Sequence, residues 1–225
     1  MKKLMLIAGA ALCCTMMIGC GTTAAVTQAQ PAQKRGTQLV DWQGSEFGKP
    51  VPAWVEYVSQ QNYDKLSTLP EAQGKSLIAV EGYGYDRDVL QVWVETDRAS
   101  GEMTNRIEQA VTREAGTAMT GNKDADAAKV KMAKAVTGVV SQSKFSGFQR
   151  LDTFWTQVQK VVDGTLEYPY YALYGIDEQL LSKQINSIMN QVVAETPEET
   201  AALADINRVV QASAMKSGAV SMEVR

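Results

Sequence analysis

The sequence contains three cysteines, the side chains best suited to covalent attachment of a lipid, and all lie within its first twenty residues. Cys20 follows Gly19, and a small residue in that place is typical of a bond that a signal peptidase cuts. Cys13 and Cys14 follow Leu12 and Cys13, which suit that position poorly. We therefore predict cleavage between Gly19 and Cys20, with a thioether-linked lipid on the Cys20 sulfur.

The residues before Cys20 have the organisation of an export signal. Lys2 and Lys3 give a positive start, and residues 4–18 carry no charge. This stretch is too short to span a bilayer, which needs about 20 apolar residues. Met17-Ile18-Gly19-Cys20 resembles the lipobox of bacterial lipoproteins. Two alternatives stay open: an ordinary signal peptide cut near Ala24-Ala25, which would discard Cys20, and an uncleaved anchor.

Cys20 is then the only cysteine of the mature chain, so the predicted fold contains no disulfide. Two or more acyl chains, such as palmitate, suffice for stable attachment to a membrane. We expect a cell-envelope protein whose membrane contact is the lipid on Cys20. Gly21 stands where lipoproteins retained in the enterobacterial inner membrane carry aspartate, which favours the outer membrane in an organism that has both.

The composition excludes several kinds of catalytic site. The sequence has no histidine, which rules out Ser-His-Asp triads, Cys-His pairs and His-ligated metals. The acidic pairs Asp86/Asp88 and Asp124/Asp126 are predicted to start helices, because the further oxygen ligands of a Ca²⁺ loop are missing. We expect a protein that is not an enzyme, with no catalytic residues, no cofactor and no metal.

The charge pattern argues against a nucleic-acid partner. Lys and Arg number 22 against 25 Asp and Glu, for a net charge of −3, and neither sign forms a long run. A nucleic-acid binder normally presents a basic stripe or patch. We expect no nucleic-acid partner, and instead an envelope protein or a peptidoglycan-associated partner.

The chain divides into three predicted parts. Residues 1–19 are the signal peptide, residues 20–48 the lipidated cysteine and a flexible tether, and residues 49–225 one domain. The tether is predicted because residues 21–48 are rich in Thr, Ala, Gln and Gly and poor in large apolar side chains.

Hydrophobic periodicity predicts an α+β domain, a small antiparallel sheet packed with several helices. Strands are predicted over 76–82, over 145–161 with a bulge or a bend, and over 166–176, with a hairpin turn at Asp163-Gly164. Helices are predicted from 88 to about 110, from 123 to about 141, after a cap at Asp177, and from a cap at Thr196 to about 216, with Glu199 as a capping-box glutamate. The first of these helices is predicted to bury one amphipathic stripe, which comprises Val89, Trp93, Thr96, Ser100, Met103, Ile107 and Ala110. Val220, Met222 and Val224 alternate, which predicts a short edge strand or a loose tail. Pro169 is predicted at a sheet edge or a strand start.

Two groups of aromatic residues have both a packing and a binding interpretation. Trp54, at the start of a short helix after Pro50 and Pro52, is expected to close one end of the core rather than stack on a ligand. The tyrosines at 168, 170, 171 and 174 crowd one predicted strand. They are expected to cover the core, with a partner-binding surface as the alternative.

Five segments span about residues 50–190 in a recognisable order: Pro52-Ala53-Trp54-Val55, Ile78-Ala79-Val80-Glu81-Gly82-Tyr83-Gly84, Val94-Glu95-Thr96-Asp97-Arg98-Ala99, Trp155, and Tyr170-Tyr171-Ala172-Leu173-Tyr174-Gly175-Ile176-Asp177. Their order resembles the LPP20 family of bacterial envelope lipoproteins, whose domain also occurs in flagellar and outer-membrane assembly factors. The resemblance implies a non-enzymatic α+β domain with helices packed on an antiparallel sheet.

Three functions are compatible with this sequence. The first is a non-catalytic lipoprotein that binds or scaffolds another component of the envelope. The second is a carrier or sensor for an apolar small molecule held between sheet and helices, which requires an internal apolar cavity. The third is a lipid-anchored hydrolase that works without histidine, which requires a cluster of Lys, Ser or carboxylate side chains in one cleft.

Overall fold

The computed structural model describes residues 36–118 and 122–224. Cys20, Gly19 and the predicted signal peptide 1–19 lie outside the described residues. In chain order the elements are β1 (Thr37–Trp42), α1 (Ala53–Ser59), β2 (Lys75–Gly84), α2 (Arg87–Trp93), α3 (Thr96–Gly116), α4 (Lys123–Val140), β3 (Gln149–Lys160), β4 (Leu166–Asp177), α5 (Glu178–Met189), α6 (Pro197–Ala214) and β5 (Gly218–Glu223). Short 3-10 helices cover Ser45–Phe47, Tyr63–Thr68 and Pro70–Ala72. Within this part of the chain, no helix has the length and hydropathy to cross a bilayer.

The strands form one sheet in the order β1-β3-β4-β2-β5. Neighbouring strands are antiparallel except β2 and β5, which run parallel, so the sheet is mixed rather than purely antiparallel. The parallel pair arises because α6 brings the chain back to the start of β2 before β5 begins. At that point Ser76 of β2 donates a hydrogen bond to the Ala214 carbonyl at the end of α6 (2.8 Å). The predicted α+β class is confirmed.

The sheet is covered on both faces, because successive side chains of β2 point to opposite faces and pack into two different clusters. Ile78 and Val80 pack into a cluster with α2 to α6, whereas Leu77 and Ala79 pack into a second cluster with α1 and the 3-10 helices. All four side chains are fully buried. A strand with both faces covered must be apolar on both, which is why residues 77–80 are uninterruptedly apolar.

The β3–β4 hairpin agrees with its turn signal. Gly164 adopts φ +72°, and the Asp163 carboxylate accepts the Thr165 N–H (2.9 Å). The predicted bulge in β3 is confirmed as a register shift between Arg150 and Asp152. The prediction for Pro169 is wrong, because β4 is an inner strand and Pro169 is its fourth residue, opposite Tyr83 of β2.

One predicted helix is broken in two. A continuous helix over 88–110 was expected, but α2 ends at Trp93 and α3 begins at Thr96. At the break, the Val94 carbonyl accepts the hydroxyl of Tyr174 from β4 (2.5 Å). The buried side chain of α2 is Leu90, while Val89, expected in the buried stripe, is 52 % exposed. Contacts with the sheet therefore override the continuous period of the sequence.

The boundary between tether and domain also needs correction. Residues 37–42, placed in the tether by composition, form β1 antiparallel to β3. The Trp42 indole N–H donates to the Lys49 carbonyl (2.7 Å), and its ring packs against the second cluster. The domain therefore begins near residue 37 rather than at residue 49. β1 has only six residues, which is too short for its apolar periodicity to predict a strand. It forms because β3 offers backbone groups for pairing.

The helix starts follow their capping residues. Asp86, Asn122, Asp177 and Thr196 each accept backbone N–H groups of the helix that follows. This confirms the predicted caps at Asp177 and Thr196. The alternating tail forms β5 at the edge of the sheet, which is the first of the two predicted outcomes for residues 220–224.

Candidate functional site

The acidic pairs singled out in the sequence are helix-start residues. Asp86 Oδ1 accepts the N–H groups of Asp88 (2.9 Å) and Val89 (3.2 Å) at the start of α2. Asp124 and Asp126 lie in the first turn of α4, where acidic side chains complement the helix dipole. Across residues 36–118 and 122–224, no group of three or more Cys, Asp or Glu side chains is placed to hold a metal ion.

The tyrosine-rich strand belongs to the core. Tyr170 and Tyr174 pack toward the larger helices, and Tyr171 toward the opposite face, where its ring meets Trp54 edge-on. The Trp54 indole N–H donates to Asp152 Oδ2 (2.9 Å). The packing interpretation is therefore confirmed for these three tyrosines and for Trp54.

A buried polar cluster lies on the face of the sheet that α1 and the 3-10 helices cover. Glu81, on β2, accepts the hydroxyl of Ser221 from β5 (2.5 Å) and interacts with the Tyr171 hydroxyl, which also meets Thr156. Burial raises the pKa of the Tyr171 hydroxyl well above its ordinary value, and the charge of Glu81 raises it further. The tyrosine therefore stays protonated and acts as a hydrogen-bond donor.

This cluster has the groups of a hydrolase site but not the access of one. Glu81, Thr156 and Tyr171 are each less than 5 % exposed, because α1 and the neighbouring 3-10 helices cover this face of the sheet. A substrate would have to displace packed side chains to reach them. The geometry fits a structural network that joins β2, β3, β4 and β5 through satisfied hydrogen bonds.

A pair of exposed aliphatic side chains lies on α2. Val89 and Val92 are 52 % and 67 % exposed. Val92 and Trp93 lie three and four residues after Val89, so both are its neighbours on the surface of α2. The Arg98 guanidinium lies 4.5 Å from the centroid of the Trp93 ring. At the other end of the helix, the Arg87 guanidinium lies 5.1 Å from the Trp155 ring.

We call Arg87, Val89, Val92, Trp93 and Arg98 the α2 surface. Tryptophan and arginine are the residues most enriched among the energetically important contacts of protein interfaces. An arginine stacked on an indole already has its guanidinium oriented, so fewer side-chain conformations are lost when a partner binds. The α2 surface therefore combines exposed aliphatic area with preorganised cations.

Gly82 fixes the position of the α2 surface on the sheet. A Cβ at residue 82 would lie 3.0 Å from Trp93 Cε3 and 3.3 Å from side-chain atoms of Leu90 and Val94. The absence of a side chain at Gly82 thus lets α2 lie directly on β2. Sequence reasoning missed this surface because it assigned Val89 and Trp93 to one buried stripe. The signal that could have found it is Val92, which does not fit that stripe.

The helical layer has several open depressions whose linings mix charged and apolar side chains. One of about 400 Å³ lies between α4 and α6 and is lined in part by Asp124, Lys131, Glu198 and Glu199. Lys131 bridges Glu199 (2.7 Å) and Glu195 (3.1 Å) at its rim. This ion-pair network joins the start of α6 to α4, which is a packing role.

Comparison with protein-family models, with curated proteins and with solved structures found no match for this chain. The resemblance to the LPP20 family stays a prediction.

Proposed function

We propose that the protein is a non-catalytic, membrane-anchored lipoprotein of the bacterial envelope, and that its domain binds another envelope protein through the α2 surface. The observation that carries this proposal is the exposed pair Val89 and Val92 beside Trp93, whose ring stacks with Arg98, while Arg87 at the start of α2 stacks on Trp155. The anchor is the lipid on Cys20, in the outer membrane where the organism has one. A partner associated with peptidoglycan fits the same proposal.

The packing of the sheet supports a scaffold over a carrier. A carrier for an apolar molecule needs a cavity of several hundred Å³ between sheet and helices. Here the side chains of residues 77–80 are fully buried on both faces of β2, and Tyr174 and Leu181 belong to the same buried cluster as Ile78 and Val80. Val89 and Val92 on the outside of α2 offer aliphatic area to a partner.

The anchor is tested by mass spectrometry of the mature protein isolated from membranes. We expect a chain that begins at Cys20 and carries the mass of a diacylglyceryl group, with or without a third acyl chain. The Cys20→Ala variant should lose that mass and leave the membrane fraction. A mature chain that begins after Cys20 would contradict the anchor.

The interface is tested by site-specific photo-crosslinking in intact cells. A photoreactive amino acid at Val92 is expected to give one discrete crosslinked product. Val193 is a matched control, because it is an equally exposed valine (75 %) on the segment between α5 and α6. The Val92→Asp substitution should abolish copurification of the crosslinked protein. Equal products from positions 92 and 193, or copurification unchanged by Val92→Asp, would contradict the α2 surface as the interface.

A further inference from the structure

The hairpin between β3 and β4 presents aliphatic side chains to the outside. Val161 and Val162 are 71 % and 93 % exposed at its apex, and Leu166 on the returning strand is 43 % exposed. Turns of this kind normally carry polar residues or glycine. We call Val161, Val162, Leu166 and the exposed Tyr85 the apolar tip.

The apex is held in place by the backbone. The Lys160 N–H donates to the Thr165 carbonyl (2.8 Å), and the Gly164 N–H donates to the Lys160 carbonyl (2.9 Å). Tyr85, at the end of β2, lies close enough to Lys160 for the two groups to interact electrostatically. The valines are therefore presented by an ordered turn, which reduces the entropy cost of binding them to another surface.

The predicted lipid anchor enters the fold at this same place. Gly36, the first described residue, accepts the Val161 N–H (2.8 Å), and Thr37 lies opposite Lys160. Gly36 is only 16 positions after Cys20 in the sequence. Even fully extended, this stretch of chain spans at most about 55 Å. The apolar tip is thus at the end of the sheet from which the chain leads to Cys20.

We infer that the apolar tip rests on the bilayer that holds the lipid of Cys20, as a second membrane contact that orients the domain. This inference rests on the proposed function, because it requires the lipid on Cys20. Aliphatic side chains enter the acyl boundary and a tyrosine suits the headgroup level. Lys160, which pairs with Glu167 (2.6 Å), suits the headgroup region beside the tip. In this orientation the Asp163 carboxylate, which accepts the Thr165 N–H (2.9 Å), has to remain at the headgroup level.

The orientation has a consequence for the whole domain: α2 begins two residues after Tyr85 of the apolar tip, so the α2 surface starts near the membrane. The lipid anchor keeps the apolar tip at a high effective concentration near the membrane, so even a weak contact of the tip is populated. That contact gives the domain a preferred orientation in place of free rotation about the tether. The far end of β4, where α5 begins, then points away from the membrane. A partner that approaches from the aqueous side then binds a domain of defined orientation.

The test uses full-length, lipidated protein in vesicles of phosphatidylethanolamine and phosphatidylglycerol. A fluorophore sensitive to its environment is attached to Val162→Cys, or to Gln179→Cys at the far end of β4 as the matched control. We expect the emission from position 162 to shift to the blue and to be quenched by nitroxide-labelled lipid. Position 179 should report water. Both sites are exposed, and circular dichroism checks that each variant is folded.

A further pair of variants tests the side chains themselves. With the fluorophore on Tyr85→Cys, the Val161→Asp/Val162→Asp double substitution should return the emission to that of water. Vesicle flotation and the acyl mass on Cys20 are measured on every sample. Protein that floats and carries lipid, but whose position 162 reports water, overturns the apolar tip alone. A chain without lipid on Cys20 overturns both this inference and the proposed anchor.

Discussion

Glu199 shows how one carboxylate joins two helices. It lies in the first turn of α6, accepts Lys131 Nζ from α4, and its other oxygen accepts the Glu195 N–H (2.8 Å). The hydrogen bond from Lys131, and then that from the Glu195 N–H, lowers the pKa of the Glu199 carboxyl. The predicted capping box is confirmed in its Thr196 half, whereas Glu199 bonds one residue further back than the motif requires.

This arrangement predicts a pH-dependent contribution to stability. Because the folded-state pKa of Glu199 is lowered, its contribution is complete above the ordinary glutamate pKa of about 4.3 and is lost as the pH falls through the folded-state value. Glu199→Gln should therefore lower the melting temperature at pH 7 and have progressively less effect below about pH 4. Thermal unfolding monitored by circular dichroism at pH 7 and at pH 3.5 measures the difference in melting temperature between the variant and the wild type.

Glu198→Gln is the matched control for that prediction, since Glu198 is in the same helical turn but is exposed. It should change the melting temperature little at either pH. The explanation fails if the difference between Glu199→Gln and wild type is the same at pH 7 and at pH 3.5.

The buried cluster around Glu81 illustrates why residue type alone does not define a site. A carboxylate, a serine and a tyrosine within hydrogen-bond reach are the components of acid–base chemistry. At Glu81 they are sealed beneath α1 and cross-link four strands. Access, which is a property of the packing, decides their role.

At the scale of elements, the contact between α2 and β2 determines where the candidate interface lies. The break after Trp93 turns α2 across the sheet, and Gly82 allows the close approach. Leu90 faces the core as a result, and Val89 and Val92 face outward.

Gly82→Ala should therefore displace α2 and destabilise the protein by about 1–3 kcal/mol, as overpacking of a filled core does. Urea denaturation measures the change in the free energy of unfolding. In the same variant, crosslinking from position 92 should fall, because the α2 surface shifts.

Gly138→Ala supplies the contrast for Gly82→Ala. Gly138 lies in α4 with no atom within 4 Å of an added Cβ. Its replacement should stabilise the helix by up to about 1 kcal/mol. Equal effects from the two substitutions would show that the α2–β2 contact is less tight than the structure places it.

At the scale of the whole molecule, a sheet covered on both faces carries the predicted anchor at one end. β1 is the strand nearest the anchor, and it shields β3 from being an edge strand. Its residues Leu39 and Trp42 are half-buried. The strand is thus part of the domain and not of the tether.

Deleting residues 37–48 from the mature chain should cost about 2 kcal/mol, the value expected from the burial of Leu39 and Trp42. It should also accelerate amide hydrogen exchange in β3. Deleting residues 22–33, which has the same length, should leave both measurements unchanged. If the two deletions have the same effect, residues 37–48 behave as tether, as composition alone predicted.

The sequence by itself determined the features that depend on a few neighbouring residues. The alternation of β2 defined its two faces, Asp163-Gly164 defined the hairpin turn, and Asp177 and Thr196 defined the starts of α5 and α6. These signals act within one turn or one strand, so no distant contact is needed to express them.

Only the tertiary structure decided the rest. The break at Val94 depends on Tyr174, which is 80 residues away in the chain, and β1 exists because β3 supplies its partner edge. The α2 surface and the apolar tip depend on which side chains the sheet leaves outside. Burial and strand pairing are contacts between residues distant in sequence, so the periodicity of a single segment cannot encode them.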